Sequence, residues 1–223
     1  MRAGRCACLF IYSSLQMPFP VALQTITIGE ISIELYVPDE MALRQAYHDG
    51  KIAFPYWGKL WPSAIALSRF VVNHPHYIQD KKLAELGAGL GLPSLVAARY
   101  ANSALCSDHN AEAVAIAKRS ALHSRLRNFK SMVMDWHHLP EDFDADVLLL
   151  SDVNYEPASF EALLQLINKF LQKGAIIIIS TPHRLMAKDF IEPVLQNTIQ
   201  KEDIAVEQHG QVTMITVLIL AAT

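Results

Sequence analysis

Leu83-Ala84-Glu85-Leu86-Gly87-Ala88-Gly89-Leu90-Gly91-Leu92-Pro93 decides the fold. Residues 82–86 read as a short strand, a glycine loop follows, and a helix is expected through Tyr100. Glycines at a strand-to-helix turn let the backbone approach a ligand that any Cβ would push away. Such a loop sits at the carboxyl end of a sheet strand, where open α/β sheets bind their ligands.

A glycine loop serves several chemistries, and its neighbours separate them. The dinucleotide fingerprint requires glycine or alanine five residues after its first glycine, and Leu92 stands there. The phosphate-cradling Gly-Lys-Ser/Thr is absent. Glu85, two residues ahead of Gly87, is unwelcome to a pyrophosphate but can hold an ammonium through bound water or backbone. An acid beside exposed amides suits the tail of S-adenosylmethionine, which carries both an ammonium and a carboxylate. A purely structural glycine turn is the alternative.

Downstream, strands and helices alternate strictly. Strands are expected at 104–107, 131–134, 145–151 and 175–180, the third of these built on the unbroken apolar run Val147–Leu150, as central parallel strands are. Helices are expected at 111–123, at 160–171 with Lys173-Gly174 as its stop, and at 187–199 with an interruption near Pro193. Residues 204–208 and 212–220 read as a terminal strand pair. Upstream, 25–37 alternates around Gly29-Glu30 as a hairpin, and Asp39 is placed to cap a helix running to Tyr47. An aromatic, turn-rich segment at 54–62 precedes a helix to about Val72, in which Leu60, Ala64, Leu67 and Val71 form the expected buried stripe. The fold class is α/β, a doubly wound, mostly parallel seven-strand sheet with an N-terminal β-hairpin and helical extension. One domain is expected over 17–223, with hairpin and helices at about 24–73 and the core at about 80–223. Residues 1–16 are expected to be a tail outside it.

Acids punctuate the strand ends. Asp108 closes the second core strand, 21 residues after Gly87, where it faces a ribose; capping the next helix is its other possible role. Asp135 closes the third strand and can accept from an adenine amine, with Trp136 against the ring. Asp152-Val153-Asn154-Tyr155 closes the fourth, beside the loop strand across the switch point. A carboxylate after so apolar a run is costly unless it is used or paired.

The chain has 223 residues, 52% hydrophobic and 18% charged, which excludes disorder and gives room for a full core. A net charge of -3 offers nothing to a nucleic-acid backbone, and Lys118, Arg119, Arg125 and Arg127 read as a solvated helix face and its exit loop. Cys6, Cys8 and Cys106 cannot form an even disulfide framework, which favours a reducing, cytoplasmic setting. No apolar run reaches the ~18 residues of a membrane span. His74-x-His76 and His137-His138 read as solvated loop histidines, so no metal site is expected. Ser94 lacks the elbow motif of serine hydrolases.

Glu85-x-Gly87-x-Gly89-x-Gly91, Asp108, Asp135-Trp136 and Ser151-Asp152-x-x-Tyr155 together resemble the seven-strand, class I S-adenosylmethionine-dependent methyltransferases. Within them the chain is most similar to the protein-lysine methyltransferase group, whose relative is nicotinamide N-methyltransferase; Leu60-Trp61-Pro62-Ser63-Ala64 matches a Trp-containing segment of that group. The likeness spans about Ile28 to Leu220. It implies a donor site holding S-adenosyl-L-methionine, released as S-adenosyl-L-homocysteine, on Gly87, Gly89 and Gly91. Glu85 and Trp61 would lie near it, Asp108 would hold the ribose, and Asp135 with Trp136 the adenine. Asp152 and Tyr155 would border the acceptor channel as catalytic residues. The implied function is methyl transfer to a nitrogen nucleophile, a protein lysine first and a small-molecule amine second, by a monomer. A silent, methyltransferase-like binding protein is the alternative of another class. Asn154 departs from the group, which commonly has a hydrophobic residue there.

Overall fold

The computed structural model describes residues 17, 19–184 and 188–222. The expected tail at 1–16 lies outside them. Two strands, β1 (Val21–Ile28) and β2 (Ile31–Pro38), form the expected antiparallel hairpin in a sheet of their own, turning at Gly29 with φ of 58°. Asp39 caps α1 (Glu40–His48) by accepting from the Ala42 amide at 2.8 Å. After a single turn at Tyr56–Gly58 comes α2 (Pro62–Asn73), with proline at its first position.

The core then runs through β3 (Lys82–Leu86), α3 (Leu92–Ala97), β4 (Ser103–Asp108), α4 (Ala111–His123), β5 (Phe129–Val133) and β6 (Val147–Ser151). It continues through α5 (Phe160–Gln172), β7 (Ile176–Pro182), α6 (Lys188–Leu195), β8 (Thr198–Gln208) and β9 (Gln211–Leu220). Seven strands make one sheet in the order β5-β4-β3-β6-β7-β9-β8, parallel except for β9, which is antiparallel to both its neighbours. β3 pairs with β4 on one side and β6 on the other, so the switch point falls at its carboxyl end, where the glycine loop begins. This is the expected doubly wound sheet. Among the described residues no helix is long and apolar enough to cross a membrane.

Burial explains the pattern. Leu148, Leu149 and Leu150 of β6 are fully buried because helices cover both sheet faces, each contributing about 1.5–3 kcal/mol of transfer free energy. On α5 the buried residues Phe160, Leu163, Ile167 and Phe170 recur at helical spacing, and the helix stops at Gly174 with φ of 81°. α2 departs from the single stripe read in its sequence: Ser63, Ile65, Ala66, Ser68 and Phe70 are buried as well as Leu67 and Val71. It lies between the sheet and the hairpin, so more than one of its faces is covered.

Several strand boundaries moved, β1 starting at Val21 rather than 25 and β6 at Val147 rather than 145. β5 occupies 129–133 rather than 131–134, leaving Met134 and Asp135 beyond its end. β8 begins at Thr198, not at 204, replacing the end of the expected helix. Its first half, Thr198-Ile199-Gln200-Lys201-Glu202-Asp203, is a charged edge strand with little apolar alternation to announce it.

Candidate active site

The loop after β3 is held by its own backbone and by β4. Gly87, Gly89 and Gly91 adopt φ of 66°, 54° and 74°, a region costly for any residue with a Cβ. The Ala88 amide donates to Ser107 O at 2.9 Å, and Ser107 Oγ donates to Glu85 O at 2.9 Å. Asp108 binds the loop directly: Oδ2 accepts from the Gly89 amide and Oδ1 from the Asn110 amide, both at 2.9 Å. Asn110, not Asp108, caps α4 by accepting from the Ala113 amide. The buried Asp108 carboxylate thus spends two of its roughly four acceptor positions and keeps the others.

The glycines answer to protein neighbours as much as to a ligand. A Cβ on Gly87 would lie 2.6 Å from Trp136 Cζ3, and one on Gly89 3.2 Å from Trp57 O. On Gly91 it would lie 2.8 Å from Cys106 Sγ, so the third glycine lets α3 close onto β4. Glu85 is likewise turned inward. It is 0% exposed and does not line the cavity; Oε2 accepts from the Ser94 amide at 2.9 Å and from Ser94 Oγ. Burial pushes its carboxyl up to about 8. Glu85 thus supports the loop from behind, a position from which any hold on an ammonium runs through bound water or the loop backbone, as its sequence position suggests.

In front of the loop lies a cavity of about 320 Å³, within the range of small-ligand sites. Gly87, Gly89 and Asp108 form its floor, and Trp57, Trp61 and Trp136 its apolar walls. Trp61 is fixed by Nε1 donating to Tyr56 O at 2.8 Å. Trp136 Nε1 is buried without a partner. A smaller recess of about 230 Å³ shares Trp136, Tyr155 and Glu156 as walls and adds Met134 and Asp135. Asp135 is 44% exposed, accepts from the His137 amide at 2.9 Å, and is held below the ordinary carboxylate range first by that bond. It borders the recess rather than the main cavity, two residues beyond the end of β5.

Asp152 and Tyr155 both reach the main cavity from the end of β6. Tyr155 packs on Tyr56 with ring centres 5.2 Å apart, and burial raises its phenol above the ordinary value. Asp152 is not free. Arg184, just past β7, grips it with Nη1 to Oδ1 at 2.6 Å and Nη2 to Oδ2 at 3.1 Å. Its φ of 55° is unusual for a residue with a side chain, and its amide is tied to Ser180 O at 2.9 Å. Asn154, the departure from the group's pattern, is fully buried with neither amide atom paired and does not line the cavity. Arg184, Trp57 and Tyr56 were missed in the sequence. Extending the strand-end rule to β7 points to His183-Arg184, and the aromatic density of 54–61 points to the other two.

Residues 41–197 match the Lysine methyltransferase family. The human histone-arginine methyltransferase METTL23 is 26% identical over 137 residues, which cover 59% of this chain and 72% of that protein. The protein N-terminal and lysine N-methyltransferase EFM7 of Cryptococcus neoformans is 29% identical over 178 residues, covering 73% of this chain and 58% of that protein. The chain spans about half to three quarters of the length of the curated relatives it matches. Among solved structures, the Thermus thermophilus 16S rRNA N2 G1207 methyltransferase in complex with AdoMet and guanosine superposes with a TM-score of 0.62 at 12% identity, over 91% of this chain and 51% of that one. That likeness carries the fold alone. With a family match extending from α1 to the end of α6, over a sheet and switch-point loop of the same type, the chain belongs to the lysine methyltransferase family.

Proposed function

We propose that this chain transfers the methyl group of S-adenosyl-L-methionine to a nitrogen nucleophile, a lysine side chain of a protein before any small-molecule amine. The observation that carries the reading is the glycine loop at the switch point, pinned through the Gly89 amide to Asp108 at the floor of an aromatic-walled cavity. A cavity with a polar floor and indole walls fits a nucleoside bearing a charged tail. Two acceptor positions remain on Asp108 for ribose hydroxyls. Asp135 borders the adjoining recess, placed for an adenine amine with Trp136 as the apolar wall. Glu85 acts by holding Ser94 and the loop.

When bound, the donor supplies an electrophilic methyl group on a sulfonium. The chain's own work is alignment and exclusion of water. Tyr56 and Tyr155 wall the cavity and lower the dielectric around an entering amine, which favours its neutral, nucleophilic form. A lysine amine otherwise has a pKa of ~10.4, so this desolvation is a requirement of the chemistry. Asp152, locked by Arg184, orients N–H bonds rather than removing a proton.

The test incubates the chain with methyl-labelled donor and a protein extract, and locates the label by mass spectrometry. Label on lysine ε-nitrogens is the expected result. Label on small amines alone would move the acceptor class, and label on oxygen or carbon would reject the nitrogen reading.

A further inference from the structure

The Asp152–Arg184 pair bridges the ends of two neighbouring parallel strands. Asp152 is the first residue beyond β6, and Arg184 follows the end of β7. Their side chains are 10% and 28% exposed, so the contact lies in the less solvated wall of the cavity. The two terminal guanidinium nitrogens each donate to one carboxylate oxygen, a fork geometry that fixes position as well as charge. The backbone of Asp152 is held independently, at φ of 55° and through Ser180 O. Strained conformations of this kind persist where the surroundings over-determine them.

The other charged groups around this cavity are spent on other partners or lie in solvent. Asp108 is tied to the Gly89 and Asn110 amides, with the exposed ring of His109 3.4 Å from it. Lys59 and Glu156 line the same cavity but are exposed, where solvent and salt screen them. His183, next to Arg184, turns to Thr216 Oγ1 at 2.7 Å and to Asp203, which also faces Lys201. Tyr56 and Tyr155 contribute rings and hydroxyls. Asp108 keeps its charge at the glycine loop, on the donor side, and at the ends of β6 and β7 one carboxylate meets one guanidinium.

Methyl transfer needs the lone pair of an unprotonated nitrogen. A bare, half-desolvated carboxylate in the acceptor region would favour the ammonium and hold it protonated. We propose that Arg184 is a positioning residue for methyl transfer: it locks Asp152 and cancels its charge, so that the acceptor site receives an uncharged nitrogen and discriminates against a protonated one. This rests on the methyl-transfer reading above and adds to it the charge state of the acceptor.

The test measures binding to the full chain by calorimetry at neutral pH with two probes. One is S-adenosylhomocysteine, a neutral thioether. The other is sinefungin, which carries an ammonium where the donor's methyl group stands. Arg184→Gln should tighten sinefungin relative to the thioether by ~10-fold, the equivalent of one pKa unit. Asp152→Asn, which leaves Arg184 unopposed, should move the ratio by a similar factor in the opposite direction. Arg184→Lys keeps the charge, and the double variant Asp152→Asn with Arg184→Gln restores neutrality; both should stay within about threefold of the parent ratio. With an amine acceptor, the acid limb of the kcat/KM–pH profile should shift to higher pH in Arg184→Gln. If Arg184→Gln does not fold, the Asp152→Asn and Arg184→Lys ratios carry the test. Ratios unmoved within about twofold, or both probes weakened equally, overturn the proposal and mark the pair as structural. If the ratios move as expected but no amine is methylated, the functional reading fails while the charge assignment stands. If the parent chain binds neither probe, both fall.

Discussion

Replacing Glu85 with glutamine separates a neutral core acid from an ionised ligand contact. Glu85 is fully buried, its Oε2 accepts from the Ser94 amide and hydroxyl, and its Oε1 has no partner. Burial raises its pKa from 4.5 to about 8. Below pH ~4.5 folded and unfolded chains both carry the proton, and the contribution is fully present. Between the two values the unfolded chain ionises while the folded one keeps its proton, so stability falls as pH rises through the folded pKa. At ~1.36 kcal/mol per unit the loss totals on the order of 5 kcal/mol, comparable with the whole stability of a marginal domain. Glu85→Gln keeps the acceptor for Ser94 and removes the titration, while its unpaired amide hydrogens cost about 1–3 kcal/mol. The variant should therefore be less stable than the parent near pH 5 and more stable above pH ~8. Urea unfolding of both proteins in buffers spanning this range gives the difference directly, because other titrating groups cancel. A difference constant within ~1 kcal/mol across the range would refute the argument, since Glu85 would then ionise alike in both states.

Gly91→Ala should destabilise by about 2–5 kcal/mol, adding a clash with Cys106 to the cost of positive φ, whereas Gly174→Ala has open space and pays only ~1–2 kcal/mol. Thermal melts should rank them in that order, and Cys106→Ala combined with Gly91→Ala should recover part of the difference. Asp108→Ala should weaken donor binding in calorimetry by about 1–3 kcal/mol and loosen the loop without ligand, seen as faster hydrogen exchange at the Gly89 amide. Tyr155→Phe keeps the ring against Tyr56 and should leave kcat within about threefold by initial-rate assay; a larger loss would assign the hydroxyl a bond to the acceptor.

The sequence carried the centre of the sheet more clearly than its edges. β6 was legible because a run of Val147-Leu148-Leu149-Leu150 has no explanation other than two covered faces. The glycine loop and Asp108 were legible because φ requirements and strand-end position leave local marks. The early start of β8 was not, because an edge strand facing solvent uses Lys201, Glu202 and Asp203 to resist further pairing, and this erases its period. The direction of Glu85 was hidden for a related reason. β3 is buried on both faces, so alternation cannot say whether an acid points to the loop mouth or to the helix behind it. The partner of Asp152 was invisible because Arg184 arrives from another strand 32 residues away, and only the sheet order places them side by side. The cost of burying an acid after an apolar run did imply that it must be used or paired.

The chain has three tryptophans, and Trp57, Trp61 and Trp136 all border the same cavity. Its intrinsic tryptophan emission is consequently not an average over distant parts of the protein. Each indole senses this one site: Trp57 from over the loop, Trp61 from the start of α2, and Trp136 from above Gly87. An adenine-bearing molecule entering between them changes polarity around all three emitters at once and offers a stacking quencher. Occupancy of the site can thus be followed optically in the unlabelled chain, with no second population of indoles to dilute the signal.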